Sequence, residues 1–179
     1  RYDLLNAKQF EMLANEASLA DGGPLLYDPS LNPVSTDWQD AMLRDLAPMT
    51  NYNVSATGGD NGTNYLISFD YFNQEGVIKT SDLERYSFRL NLDKEVKQNL
   101  KVGNSLTASY VKTNRANSGS IFSMLTTAPN LPIKQPDGSY TQYNNQGIGF
   151  NNPIALLDGY QNLNKTFRTI GNAFASWEI

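Results

Sequence analysis

Near Pro48 the hydrophobic period of this 179-residue chain changes, and that change constrains its fold more than any other feature. Before Pro48 the apolar residues recur at helical spacing; after it they alternate, which an extended strand with one apolar and one polar face satisfies. Over residues 64–72, Tyr65, Ile67, Phe69 and Tyr71 alternate with Leu66, Ser68, Asp70 and Phe72. Over 85–95, Tyr86, Phe88, Leu90 and Leu92 alternate with Ser87, Arg89, Asn91 and Asp93. From Leu100 onward, Leu100, Val102, Leu106, Ala108 and Tyr110 alternate with Lys101, Gly103, Ser105, Thr107 and Ser109. Residues 51–58 and 167–179 read as two further strands with weaker alternation. The expectation is an all-β chain of about five antiparallel strands.

The connections carry more information than any single strand. Residues 59–63 and 97–99 are short turns, 79–84 is somewhat longer, and 114–165 is very long. In an up-and-down sheet, alternate connections fall at opposite ends, so one end is trimmed to turns while the other carries the excursions. That asymmetry, with strands of about ten residues, is the pattern of an outer-membrane β-barrel, apolar outside and polar inside. The strands are also long against the five or six residues common in soluble sheets. Aromatics gather toward strand ends (Tyr52, Tyr65, Tyr71, Phe72, Tyr86, Tyr110, Trp177), where interfacial girdles would place them. A soluble β-sandwich that buries the Tyr86, Phe88, Leu90 and Leu92 face against a second sheet is the competing reading.

The first 49 residues follow a different grammar. Phe10, Leu13, Ala14 and Ala17 share a helical face, Asn6 is placed to cap the helix, and Gly22 and Gly23 end it. After a Pro-rich loop, Thr36 can cap a second, short helix with Asp37 and Asp40 in its first turn and Trp38, Met42 and Leu43 on its apolar side. Residues 1–47 carry eight acidic and three basic groups, either a solvated loop or a charge-selective surface.

Composition then removes whole classes of chemistry. With no cysteine and no histidine, the chain has no disulfide, no thiolate, no zinc-finger ligand set and no histidine-dependent triad. No cofactor or metal is expected. A net charge of -4 argues against nucleic acid, whose phosphates require clustered Lys and Arg. A carboxylate-based glycosidase would need an acid and a base about 5–9.5 Å apart, and no pair of Asp or Glu stands out for that role. The longest apolar run is Ile154, Ala155, Leu156 and Leu157, too short for a membrane-spanning helix. The chain begins at Arg1 and ends in what reads as mid-strand, so a piece of a larger protein is expected.

Four blocks then look familiar in order and spacing: Thr36-Asp37-Trp38-Gln39-Asp40; Ala47-Pro48-Met49-Thr50-Asn51-Tyr52-Asn53-Val54-Ser55 running on to Gly58-Gly59; Tyr71-Phe72-Asn73-Gln74-Glu75-Gly76-Val77-Ile78-Lys79; and Glu84-Arg85-Tyr86-Ser87-Phe88-Arg89-Leu90-Asn91-Leu92-Asp93. Together they closely resemble the SusC/RagA family of TonB-dependent transporters of the Gram-negative outer membrane. The resemblance implies a transmembrane antiparallel barrel of about 22 strands, plugged by an N-terminal domain, of which this chain is an early portion with short helices in its external loops. It also implies an organisation. Residues 1–49 form an external loop with two short helices, 50–113 up-and-down barrel strands with short periplasmic turns, 114–165 a long external loop, and 166–179 a further, truncated strand. Alone, such a segment would be an open, curved sheet with an uncovered apolar face and two bare edges.

What the resemblance implies for function is import of oligosaccharides or peptides rather than catalysis. The partners implied are a SusD-like surface lipoprotein, the TonB complex acting through the absent plug, and outer-membrane lipid. The long loop is rich in neutral amides and aromatics, a composition that suits sugar hydroxyls and pyranose faces and is equally that of an ordinary exposed loop. Candidate substrate or partner contacts are Trp38, Asn117, Phe122, Asn130, Tyr140, Tyr143, Asn145 and Tyr160. Trp38 is open to a second role, as an anchor inside a loop core. Residues 118–128 suggest a short helix with Ile121, Met124 and Leu125 on one side. Alternation makes Ser68, Asp70, Ser87, Arg89, Asn91, Asp93, Thr107 and Ser109 lumen-facing, and puts Arg89 within reach of Asp70 or Asp93.

Overall fold

All five expected strands form, each longer than the stretch whose alternation announced it. In the structure, a computed structural model describing residues 1–144 and 146–178, they are β1 (Met49–Asp60), β2 (Thr63–Glu75), β3 (Asp82–Lys97), β4 (Leu100–Asn114) and β5 (Leu163–Trp177). They form one antiparallel sheet in which every strand lies beside its neighbour in sequence, so β1 and β5 pair on one side only. Asn61 and Gly62, with φ of 48° and 73°, make the two-residue turn between β1 and β2. Paired positive φ values match the twist of the flanking strands, and Asn-Gly is the pair that adopts them at least cost. A bulge between Glu95 and Lys97 precedes the turn into β4.

Register turns the alternation into two faces, because partners in an antiparallel ladder point to the same side. Tyr52, Tyr71, Tyr86, Tyr110 and Phe167 form one row across all five strands. The tyrosine rings follow one another at centroid separations of 6.3, 5.0 and 6.4 Å. Two rows on the same face continue the apolar surface, Val54–Phe69–Phe88–Ala108 and Ala56–Ile67–Leu90–Leu106. Phe69, Phe88, Leu92 and Phe167 are all exposed on it. On β5 the same face ends at Trp177, ten residues beyond Phe167. Ten residues extend about 33 Å, or about 25 Å along the normal at a strand tilt of about 40°, the height of an apolar membrane band.

The other face is polar in its middle rows, Asn53–Asp70–Ser87–Ser109–Arg168 and Ser55–Ser68–Arg89–Thr107. Three aromatics expected in the girdle set do not sit in its row: Trp177 lies at the far end of β5, and Phe72 and Tyr65 lie elsewhere on the sheet. Phe72 is on the polar face, where the Arg85 guanidinium lies over its ring at 5.1 Å. Tyr65 is on the apolar face near the opposite strand end and folds across Gly58, its register partner. Phe174 covers Gly103 on the polar face in the same way. A methyl group there would overlap both the Phe174 ring and the Asp93 carboxylate. Gly103→Ala is therefore expected to cost about 1–2 kcal/mol through displacement of that ring, measurable by denaturant unfolding of the full-length protein.

The second unit is built from Arg1–Asp45, Val77–Thr80 and Ala116–Gln161, the segments that precede β1, join β2 to β3 and join β4 to β5. It contains α1 (Ala7–Ala20), α2 (Trp38–Met42), α3 (Ser118–Thr126) and α4 (Pro153–Gly159). Asn6 caps α1 as expected: its side chain accepts from Gln9 N at 3.0 Å and the Gln9 side chain returns to Asn6 N, completing a capping box. The expected apolar face of α1 is not the buried one. Leu13 and Ala17 are exposed, whereas Ala7 and Asn15 are buried. The cap of α2 also differs, since Asp37 accepts from Asp40 N at 3.0 Å while the Thr36 hydroxyl donates to Leu131 O at 2.6 Å. A carboxylate accepts more strongly than a hydroxyl, and Thr36 finds its acceptor in a distant segment.

Among the described residues no helix is long and apolar enough to cross a membrane.

Candidate functional site

The helical unit has its own core, and that core decides which loop side chains are available to a ligand. Trp38, Met42, Met124, Leu131 and Leu157 are buried together, with Ile78, Leu43, Leu125, Phe150 and Ile154 packed against them. Trp38 is 3% exposed and its Nε1 donates to Ala128 O at 3.1 Å. That enclosure fits the anchor, one of its two expected roles. In the helix expected over residues 118–128, Met124 is buried and Ile121 is exposed, so only part of the expected face packs. Lys79, from the short middle segment, donates its Nζ to Asp40 O and Ala41 O at 2.9 Å each. A cation at the carboxyl end of a helix also complements its dipole, which fastens that segment to α2.

Several amides of the long loop hydrogen-bond to backbone groups. Asn152 is buried with all four hydrogen-bonding positions used: Nδ2 donates to Ile133 O and Thr141 O, while Oδ1 accepts from Ile154 N and Ala155 N. Asn144 accepts from Gln146 N and Ile148 N and so shapes its own turn. Asn117 caps α3 by accepting from Gly119 N at 2.8 Å. Asn117→Ala is expected to weaken α3 by about 1 kcal/mol, read as faster amide exchange over Ser118–Thr126 in the full-length protein. Asn130 is buried, donates to Glu11 Oε1 at 2.9 Å, and has no donor to Oδ1 among the described residues. Asn15, which no sequence signal marked, holds the loop after α1 by accepting from Leu26 N and Tyr27 N and donating to Tyr27 O. Asn152 did have a signal, an asparagine directly before Pro153, the usual grammar of a helix start.

The aromatic candidates divide between packing and exposure. Tyr140 donates its hydroxyl to Asp158 and lies under Lys134 Nζ, 4.9 Å from its ring centre. Donation to that carboxylate holds the phenol above its usual pKa, because ionisation would set two negative charges side by side. Asp137, in the same hairpin, is held below the usual carboxylate value by the hydroxyl and N–H of Ser139. Phe122 and Tyr143 are well exposed, and Tyr160, the C-cap of α4, is less so. Asn145 lies outside the described residues, as does Ile179 at the end of the expected last strand. Tyr143, Phe150, Gln142 and Asn151 surround an open hollow of about 510 Å³ lined by no charged side chain. Two aromatic rings beside two amide side chains offer stacking surfaces and both hydrogen-bonding senses to a neutral ligand.

The expected lumen-facing set lies together on the polar face of the sheet. Asp70 pairs with Arg85 at 3.4 Å, not with Arg89. Both arginines are diagonal neighbours of Asp70, and the Phe72 ring beneath Arg85 decides between them. Among the described residues Arg89 has no ion-pair partner, and it lines a shallow depression with Ser55, Ser68 and Thr107. Asn91 accepts from the Ser105 hydroxyl at 2.9 Å, and Asp93 lies against Gly103.

Comparison with known proteins fits this architecture. No protein-family model matches the chain. The TonB-dependent receptor P26 of Formosa agariphila is 39% identical over 165 residues, covering 89% of this chain and 16% of the relative. The TonB-dependent receptor SusC of Bacteroides thetaiotaomicron is 30% identical over 161 residues, 86% of this chain and 16% of SusC. The chain thus spans about a sixth of the length of the curated relatives it matches. Among solved structures, the RagAB peptide transporter superposes with a TM-score of 0.64 at 25% identity, over 93% of this chain and 20% of that one. The RagAB peptide importer in its closed-closed state gives 0.63 at 23% identity, over 97% and 21%. These likenesses establish the fold as a five-strand portion of a transporter barrel, with the sandwich reading set aside.

Proposed function

Because the chain belongs to the SusC/RagA family of TonB-dependent receptors, we propose that it supplies barrel wall and external loops to an outer-membrane transporter that imports oligosaccharides or peptides. The observation that carries this reading is the two-faced sheet: an apolar surface limited by an aromatic row on one side, polar rows on the other. A face of that height is stable against lipid and unstable against water. The segments before β1, between β2 and β3 and between β4 and β5 share one hydrophobic core, which supports the assignment of residues 1–49 and 114–165 to the external side and of the two-residue turns to the periplasm.

Energy for import enters through the plug and the TonB complex, and a SusD-like lipoprotein covers the loops. The role of this chain is recognition and containment, with no covalent step. Tyr143, Phe150, Gln142 and Asn151 form the surface on which a neutral ligand is received, and an oligosaccharide is the chemistry they fit best. A peptide is the second reading, favoured by the likeness to the RagAB peptide transporter.

The full-length protein distinguishes these outcomes. It should require detergent to remain monodisperse, and monodispersity in plain buffer overturns the transporter reading. Calorimetric titration with neutral oligosaccharides and with short peptides then separates the substrates, since heat from peptides alone rejects the sugar assignment.

A further inference from the structure

Two lysines stand side by side on the apolar face of the sheet. Lys112 and Lys165 are register partners on β4 and β5, so their side chains leave the same face at about 5 Å between Cβ atoms. Like charges directly opposite repel. Glu84, the partner of Lys112 on β3, lies 3.4 Å from its Nζ and offsets one of the two charges. Lys165 has no ion pair or hydrogen bond among the described residues. The acidic groups next along this face, Glu75 and Asp82, are register partners on β2 and β3, so the lysines hold the β4–β5 side.

The position of the pair points to an anionic ligand. Two residues inward on the same strands, and on the same face, are Tyr110 and Phe167 of the aromatic row. In a membrane wall such residues sit at headgroup level, and lysines just beyond them extend their stems so that the ammonium groups lie among the headgroups. Below them Ala108 and Leu106 continue an apolar track along β4. We infer that Lys112 and Lys165 bind the phosphate of an anionic lipid headgroup, with the acyl chains running down the face beside Tyr110 and Leu106. A phosphate monoester carries about -1.5 to -2 charges at neutral pH, enough to bridge two ammonium groups. This inference rests on the barrel-wall reading, since only a face turned to lipid presents the pair to a headgroup.

The test uses the full-length protein in neutral detergent, with diphosphorylated lipid A as the probe and its dephosphorylated form as the control. Native mass spectrometry counts the lipid retained by the wild type, Lys112→Gln, Lys165→Gln and the double variant. Heat-modifiable gel mobility reports that each barrel is folded. Loss of one lysine should reduce retention about fivefold and loss of both about twenty-five-fold, while the Lys→Arg double variant keeps it. The dephosphorylated lipid should bind all forms equally weakly. Equal retention by wild type and double variant, or equal binding of the two lipids, overturns the inference and leaves the transporter reading intact. A protein that needs no detergent overturns the transporter reading itself.

Discussion

Leu90→Arg is expected to destabilise the folded barrel by about 2–4 kcal/mol, the cost of a guanidinium on a lipid-facing surface near mid-height. Leu90 lies in the row Ala56–Ile67–Leu90–Leu106, midway down the apolar face on the central strand. The matching change on the polar face, Ser105→Arg, should cost only about 1 kcal/mol, the hydrogen bond from Ser105 to Asn91. Denaturant titration of the full-length protein in lipid vesicles, followed by tryptophan fluorescence, gives both numbers. Equal costs would mean that the two faces meet similar surroundings, and the membrane orientation of the sheet would have to be abandoned. The comparison is informative because the two positions differ in facing direction far more than in β-propensity or distance from a turn.

Trp38→Ala should destabilise the helical unit by about 3–5 kcal/mol, because it removes the largest side chain among the buried residues of a small core. The Ala128 carbonyl also loses its donor. Trp38→Phe isolates that second effect, since it restores most of the volume and leaves the hydrogen bond unmade, at about 1 kcal/mol. Hydrogen exchange of the full-length protein in detergent reads both variants locally. Protection should fall together over residues 38–42, 118–126 and 153–159, the helices whose side chains meet at Trp38 and Met42, while the strands keep theirs. Loss confined to residues 38–42 would show that these helices do not share one core.

The two predictions probe parts of the chain that were unequally legible. Strand identity and facing could be read directly, because side chains on a strand alternate with a period of two whatever lies beyond them. Leu90 and Asn91 could therefore be assigned to opposite faces from their neighbours alone. The connection between β1 and β2 was legible as a short turn over residues 59–63, whereas the positive φ values at Asn61 and Gly62 came from the structure. Strand ends were less so, and every strand runs beyond its alternating stretch. Ladder hydrogen bonds continue for as long as a partner is present, with no need of an apolar face.

The loops were least legible, and Asn130, Asn152 and Trp38 show why. Each is of a type that serves equally well inside a loop or at a ligand. Asn130 meets Glu11 from 119 positions away, Trp38 meets Ala128 from 90, and Asn152 serves both its own helix and the carbonyls of Ile133 and Thr141. Buried carbonyls and N–H groups must be satisfied, and the nearest amides are drawn into that work. Composition alone therefore left both readings of the loop's amides open.

By itself the sequence determined that the chain makes long antiparallel strands with one apolar and one polar face, joins two pairs of them by short turns, and excludes thiol and histidine chemistry. Those are local properties, set by the pleat, by φ at single residues and by which side chains are present. Only the tertiary structure decided that five aromatics fall into one row, that Arg85 rather than Arg89 pairs with Asp70, that Lys112 faces Lys165, and that three separated segments share one core around Trp38. Each of those depends on register or on packing between residues distant in the chain. Alternation fixes the side to which a residue points and leaves open the residue it meets there.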